Sequence, residues 1–129
     1  MNETILVLDS DPVMSAVLRE ALDAAGYLVI SAHDLGAAVD RLDEVEPDLL
    51  IVRPYINSMP GFLAADYLRT KHPGLPVLVV AGFMNDDRVN VQNSIRQFHV
   101  FPESFEREQL LAIIKSILEC ESKKHSCNF

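Results

Sequence analysis

The sequence predicts an α/β fold: a three-layer (βα)5 sandwich with a doubly wound parallel sheet in the order 2-1-3-4-5. Three observations predict it. Five short β-rich runs alternate with five helical patterns along the 129 residues, as expected of parallel βα units and a helix-covered sheet. The run LLIV, Leu49 to Val52, is apolar at every position, so both of its faces must be covered. The segments between the runs carry apolar residues at helical spacing and start or stop on capping residues. Right-handed crossovers then wind helices onto both faces of the sheet.

The first strand is Thr4 to Leu8, ending in Asp9. Asp11 caps the first helix and Pro12 takes its first position, where a missing N–H costs nothing. Its apolar face is read as Val13, Val17, Leu18, Ala21, Leu22 and Ala25, and Gly26 stops it. Tyr27 to Ile30 is the second strand. Asp34 caps a helix carrying Leu35, Ala38, Val39, Leu42 and Val45, and Pro47 follows it. Leu49 to Val52 is the third strand, with Arg53 and Pro54 behind it. A helix over Gly61 to Lys71 carries Phe62, Leu63, Tyr67 and Leu68, and His72-Pro73-Gly74 ends it. Val77 to Val80 is the fourth strand. Asn85 to Gln97 reads as a thinly anchored helix, with only Val89, Val91 and Ile95 apolar. Phe98 to Phe101 is the fifth strand. Ser104 caps the last helix, whose inner face is Leu110, Leu111, Ile114, Ile117 and Leu118. The domain is set at residues 1–120, with a frayed tail over 121–129.

Composition narrows the function. A net charge of −8 repels a phosphate backbone, and Lys123-Lys124-His125 is too short a basic cluster to reverse that. No basic leader precedes an apolar stretch at the amino end, and Leu75 to Met84 is too short to span a bilayer. A cytoplasmic protein that binds neither nucleic acid nor membrane is the expectation. Cys120, His125 and Cys127 could bind a metal in principle, but three ligands at irregular spacing read better as a polar tail with free thiols. Strand order 2-1-3-4-5 opens a crevice between the carboxyl ends of the first and third strands, where such sheets place their chemistry. Asp9, Ser10 and Asp11 leave the first strand there, and Arg53 leaves the third.

Four stretches carry a resemblance: ILVLDSDPVMSAVLREALDAAGY, AAVDRLDEVEPDLLIV, LRTKHPGLPVLVVAG and FHVFPESFEREQLLAII. From Ile5 to about Leu118 the chain resembles a response-regulator receiver domain, which implies a flavodoxin-like, CheY-like fold and two-component signalling. A working receiver holds two neighbouring acids after the first strand and an acceptor aspartate after the third. A Ser or Thr follows its fourth strand, and a lysine precedes a proline after the fifth. Laid on this sequence, Asp9 keeps the first acid and Ser10 replaces the second. Arg53 stands at the acceptor, Ala81 at the hydroxyl and Phe101, before Pro102, at the lysine. Phe98 keeps an aromatic at the family's switch position. The family's loop proline is absent at Asn57, while Met59 and Gly61 fit.

Each replacement removes a separate function. Guanidinium is protonated and not nucleophilic, so Arg53 cannot accept a phosphoryl group. Ser10 is a weak ligand for a hard cation that prefers carboxylate. Ala81 cannot donate to a phosphoryl oxygen, and Phe101 cannot neutralise one. The family's site carries three carboxylates and a lysine, about −2 in all, balanced by Mg2+. Here Asp9 gives −1 and Arg53 gives +1, so no cofactor is expected. Arg53 is expected to reach Asp9, and Asp11 as well, in place of the cation, with Pro54 holding it extended. Beside this stands a plainer reading, in which Arg53 extends to water over its loop and Asp11 is only a helix cap.

The leading functional reading is a degenerate receiver that is not an enzyme and acts by protein–protein interaction without phosphorylation. Its partners would be other signalling proteins, or a second copy, met on the face of the fourth helix, fifth strand and fifth helix. Arg88, Asn90, Gln92 and Arg96 could carry specificity there. With no effector segment following, output would pass through another protein. A second reading is a conventional phosphorelay receiver that uses Asp9 or Asp11 and still needs Mg2+. A third, of another class, is a flavodoxin-like cofactor binder or enzyme. LDSDPVM has no glycine and two acids where such proteins cradle phosphate.

Overall fold

A computed structural model describes residues 3–53, 55–81, 99–102 and 107–123. The elements run β1 (Thr4–Leu8), α1 (Pro12–Ala24), β2 (Leu28–Ala32), α2 (Leu35–Glu44) and β3 (Leu49–Val52). They continue with β4 (Tyr55–Ile56), β5 (Met59–Pro60), α3 (Gly61–Lys71), β6 (Val77–Ala81), β7 (His99–Pro102) and α4 (Arg107–Lys123). The main sheet is parallel throughout and ordered β2-β1-β3-β6-β7, the doubly wound order the sequence predicts. The protein is a flavodoxin-like α/β sandwich.

Alternation along the central strands builds a core on each face. Leu6, Leu8, Leu50, Val52, Val77 and Val79 point to the α2/α3 side, and Ile5, Val7, Leu49, Ile51, Leu78 and Val80 to the α1/α4 side. All are buried. A fully buried Leu, Ile or Val contributes about 1.5–3 kcal/mol, so this double layer fixes the register that sets the strand ends level.

α1 departs from its predicted face. Val13 is 71% exposed and Val17 50%, while Ser15, Leu18 and Leu22 are buried. Each residue turns the helix by about 100°, so a stripe centred on 15, 18 and 22 leaves 13 and 17 facing outward. Ser15 hid that stripe by being polar. Ala25 is the exposed C-cap. The helix ends as a Schellman motif, with Gly26 N–H donating to Asp23 O and Tyr27 N–H to Leu22 O. Gly26 at φ +98° supplies the left-handed step. Tyr27 is thereby taken by the cap, so β2 starts at Leu28 and runs to Ala32 rather than spanning Tyr27 to Ile30.

In α3 the buried residues are Gly61, Ala64, Ala65 and Leu68, whereas Leu63 and Tyr67 are exposed. Two alanines let the helix approach β3 closely and turn the larger neighbours outward. On α2, Val45 is a partly exposed C-cap beyond the buried Ala38 and Leu42. β7 is shifted one residue from its predicted span. α4 buries Leu110, Ile114, Ile117 and Leu118 as expected and continues to Lys123, past Glu121. The predicted helix Asn85 to Gln97 and the Ser104 cap lie outside the described residues. Among the described residues no helix is long and apolar enough to cross a membrane.

Candidate functional site at the carboxyl ends of β1, β3 and β6

The register pairs Leu8 with Val52, so Asp9 and Arg53 are the next residues on two neighbouring strands. Both backbones stay in the ladder for that step. Asp9 N–H donates to Ala32 O at 3.0 Å, and Arg53 N–H to Leu8 O at 3.3 Å. Their side chains then meet: Arg53 Nε lies 3.3 Å from Asp9 Oδ2, with side-chain exposures of 13% and 2%. Arg53 Nη1 donates to the carbonyl of Val80 at 3.4 Å. One guanidinium thus joins β1 and β6 to its own strand, β3. Most of its side chain is covered, and its contacts run into the crevice rather than out over the loop.

The Asp9 carboxylate is shared. Its Oδ1 accepts from Asp11 N–H at 2.9 Å, which sets the turn into α1. Asp11 in turn is the N-cap, its Oδ1 accepting from Val13 N–H at 2.9 Å. Asp11 is therefore engaged by the helix terminus, and the ion pair with Arg53 is made by Asp9. His33 Nδ1 sits 3.3 Å from the Asp9 carbonyl oxygen, a contact that needs the proton on Nδ1.

A feature that the strand and helix patterns do not announce follows β3 and reaches the loops after β1 and β2. Residues 55–60 form a two-strand hairpin, Tyr55 pairing with Pro60 and Ile56 with Met59. Asn57 and Ser58 make its turn at φ +51° and +73°, the double left-handed geometry that suits the twist of tight hairpins. Asn57 N–H donates to Ser10 Oγ at 3.3 Å, and Asn57 Nδ2 to the His33 carbonyl at 3.4 Å.

Of the predicted positions, Asp9, Ser10 and Arg53 are brought together. Ala81 ends β6 opposite Pro102, and Phe101 pairs with Val80, so their backbones reach the same edge of the sheet. Phe98, Arg88, Asn90, Gln92, Arg96 and Pro54 lie outside the described residues. Three contributors were not foreseen. The Val80 carbonyl has no side-chain signature to read. Asn57 and His33 are joined to the site only by the fold, although Asn-Ser between two apolar pairs is a turn signal. Among the described residues no group of three or more His, Cys, Asp or Glu could hold a metal ion.

Fold and crevice together define a doubly wound α/β module with its polar residues gathered where the central strands end. The chain belongs to the response regulator receiver domain family, whose model matches residues 5–115. It is a two-component response-regulator receiver module. MprA, a response regulator of Mycobacterium tuberculosis, is 29% identical over 123 residues, 92% of this chain and 51% of MprA. TcrX, a probable transcriptional regulatory protein of the same species, is 31% identical over 77 residues, 60% of this chain and 33% of TcrX. The chain therefore spans at most about half the length of these curated relatives. The crystal structure of a CheY-like receiver domain protein from Methanospirillum hungatei matches with a TM-score of 0.82 at 18% identity, covering 97% of this chain and 100% of that one. That likeness is one of fold alone.

Proposed function

We propose that this receiver acts as a fixed protein-binding module, without phosphorylation and without a bound divalent cation. The observation that carries the reading is the Arg53 guanidinium 3.3 Å from the Asp9 carboxylate at the ends of β3 and β1. The donor set does not suit Mg2+, which binds through one or two carboxylates free to face it. The buried carboxylate already faces a cation, and Ser10 Oγ accepts from Asn57 N–H. A second cation would meet the charge of Arg53 rather than a negative well. The chemistry of acceptance is also missing, because position 53 holds no nucleophile.

The consequence is a receiver without its usual input. A modification shifts a conformational equilibrium only through different affinities for the two states. With no acceptor at position 53, partners or a second copy would have to supply any bias. Partner binding is assigned to Arg88, Asn90, Gln92 and Arg96, polar residues of the segment between β6 and β7. The alternative, phosphorylation at Asp9 or Asp11, has less support, since Asp9 is paired and Asp11 caps α1.

Incubation with acetyl phosphate and Mg2+, followed by intact-mass measurement, decides between these readings. The expected result is an unchanged mass. A stoichiometric phosphate adduct, located to Asp9 or Asp11 by peptide mapping, would overturn the proposal.

A further inference from the structure

We infer that Asn57 is a latch, holding the β4–β5 hairpin across the crevice independently of the Arg53–Asp9 pair. The inference stands on the hairpin's own contacts with Ser10 and His33, which do not involve the Arg53 side chain.

Three loops leave the carboxyl ends of three neighbouring strands. Ser10 belongs to the loop after β1, His33 to the loop after β2, and Asn57 to the hairpin after β3. Asn57 contributes two donors that diverge, its main-chain N–H to Ser10 Oγ and its Nδ2 to the His33 carbonyl. His33 closes the circuit through Nδ1 at the Asp9 carbonyl. A single residue therefore ties the hairpin to both neighbouring loops. The residue type fits the task, because Asn tolerates a left-handed backbone and its amide still has a donor to spend.

The hairpin is held from below as well. Ile56 is buried, and Met59 packs on the α2/α3 core. The turn between them keeps two successive non-glycine residues at positive φ. Such backbone persists only where its surroundings over-determine it, and the ties from Asn57 and the anchors at Ile56 and Met59 do so here. Position 10 gains a meaning in this arrangement. A hydroxyl there serves as a neutral acceptor for the latch, next to an ion pair whose charges already balance.

The test is hydrogen exchange of the full chain, read by mass spectrometry over residues 8–13, 31–36 and 53–61. Asn57→Gly keeps the left-handed turn at no steric cost and removes the Nδ2 tie. Ser10→Ala removes the Oγ acceptor. Each variant is expected to speed exchange in all three segments together by about five- to tenfold, the effect of losing one hydrogen bond from a local opening unit. Segments of α4 should not change. Acceleration confined to 53–61, or none, would overturn the latch. Should Asn57→Gly unfold the chain, the exchange pattern of Ser10→Ala decides the matter alone.

Discussion

Arg53 and Asp9 stand one residue beyond the last paired positions of β3 and β1, and their side chains meet 3.3 Å apart in a largely buried site. Because Arg53 also donates to the Val80 carbonyl, the pair acts as a cross-strand tie at the edge where receivers carry their chemistry. Its energetic sign follows from burial. Two charges out of water barely break even against well-packed apolar groups, but either one left alone is costly.

A double-mutant cycle measures this. Arg53→Met strands a carboxylate whose side chain is 2% exposed and should cost about 3 kcal/mol. That corresponds to a fall in Tm of about 10 °C for a domain of this size. Asp9→Asn keeps an acceptor for Asp11 N–H and leaves a guanidinium with some solvent access, so it should cost less, about 2 kcal/mol. The double variant should be less destabilised than the sum of the singles by at least about 1 kcal/mol. Urea unfolding of the four proteins checks it, and simple additivity would show that the pair is not energetically coupled.

How much of this was legible in the sequence depends on what kind of signal each part leaves. The strands were readable because burial on both faces forces unbroken apolar runs such as Leu49 to Val52. Asp11-Pro12 marked its helix start because capping is a local property. The Arg53–Asp9 pairing was legible once the strand order placed the two ends side by side. The outward turn of Val13 and Val17 was not, since both valines share the helical spacing of a core face while the buried Ser15 looks polar. The hairpin was half legible: Asn-Ser is a turn signal, but without a glycine it does not announce two residues at positive φ. Contacts to the carbonyls of Val80 and His33 depend on the fold alone.

Ser58 offers a stability prediction of opposite sign. At φ +73° an ordinary side chain costs about 1–2 kcal/mol. Glycine removes that strain but gives back about 0.4–1 kcal/mol through the freer unfolded chain. Ser58→Gly should therefore stabilise the protein by about 0.5 kcal/mol. Thermal melts would detect a small rise in Tm, and a clear fall would mean that the Ser58 side chain makes contributions beyond its backbone.

At the opposite end of the sheet a cavity of about 360 Å3 is lined by Glu3, Ala25, Gly26, Tyr27, Lys115, Leu118 and Glu119. Burial, then the carboxylates of Glu3 and Glu119, raise the Tyr27 phenol above its ordinary 10.0. The linkage sign is direct. Below pH 10 the phenol is neutral in both states and nothing is lost. As pH rises past that value, the unfolded chain ionises first, and stability falls until the folded phenol also titrates. Tyr27→Phe should flatten the decline of Tm above the ordinary tyrosine value of 10.0 without altering the profile near neutrality. An unchanged alkaline slope would show that Tyr27 does not drive the decline.

Charge and chemistry can be separated at position 53. In the wild type, Asp9 and Arg53 cancel, so millimolar Mg2+ should leave Tm where it is; a saturable rise would mean that the cation binds the folded state after all. Arg53→Asp changes the local charge by −2 and places a second carboxylate beside Asp9. Like charges at that separation repel, so the variant should melt lower than wild type in the absence of metal. A hard divalent cation now has two carboxylate ligands, and Mg2+ should recover part of the lost Tm. The variant should nevertheless stay unlabelled by acetyl phosphate in the intact mass. No hydroxyl at position 81 steadies a phosphoryl oxygen, and no lysine at position 101 neutralises one. Recovery of Tm by Mg2+ with no mass change would show that the guanidinium replaced the metal while other positions lost the reaction. Efficient labelling of this single variant would place the whole defect at position 53.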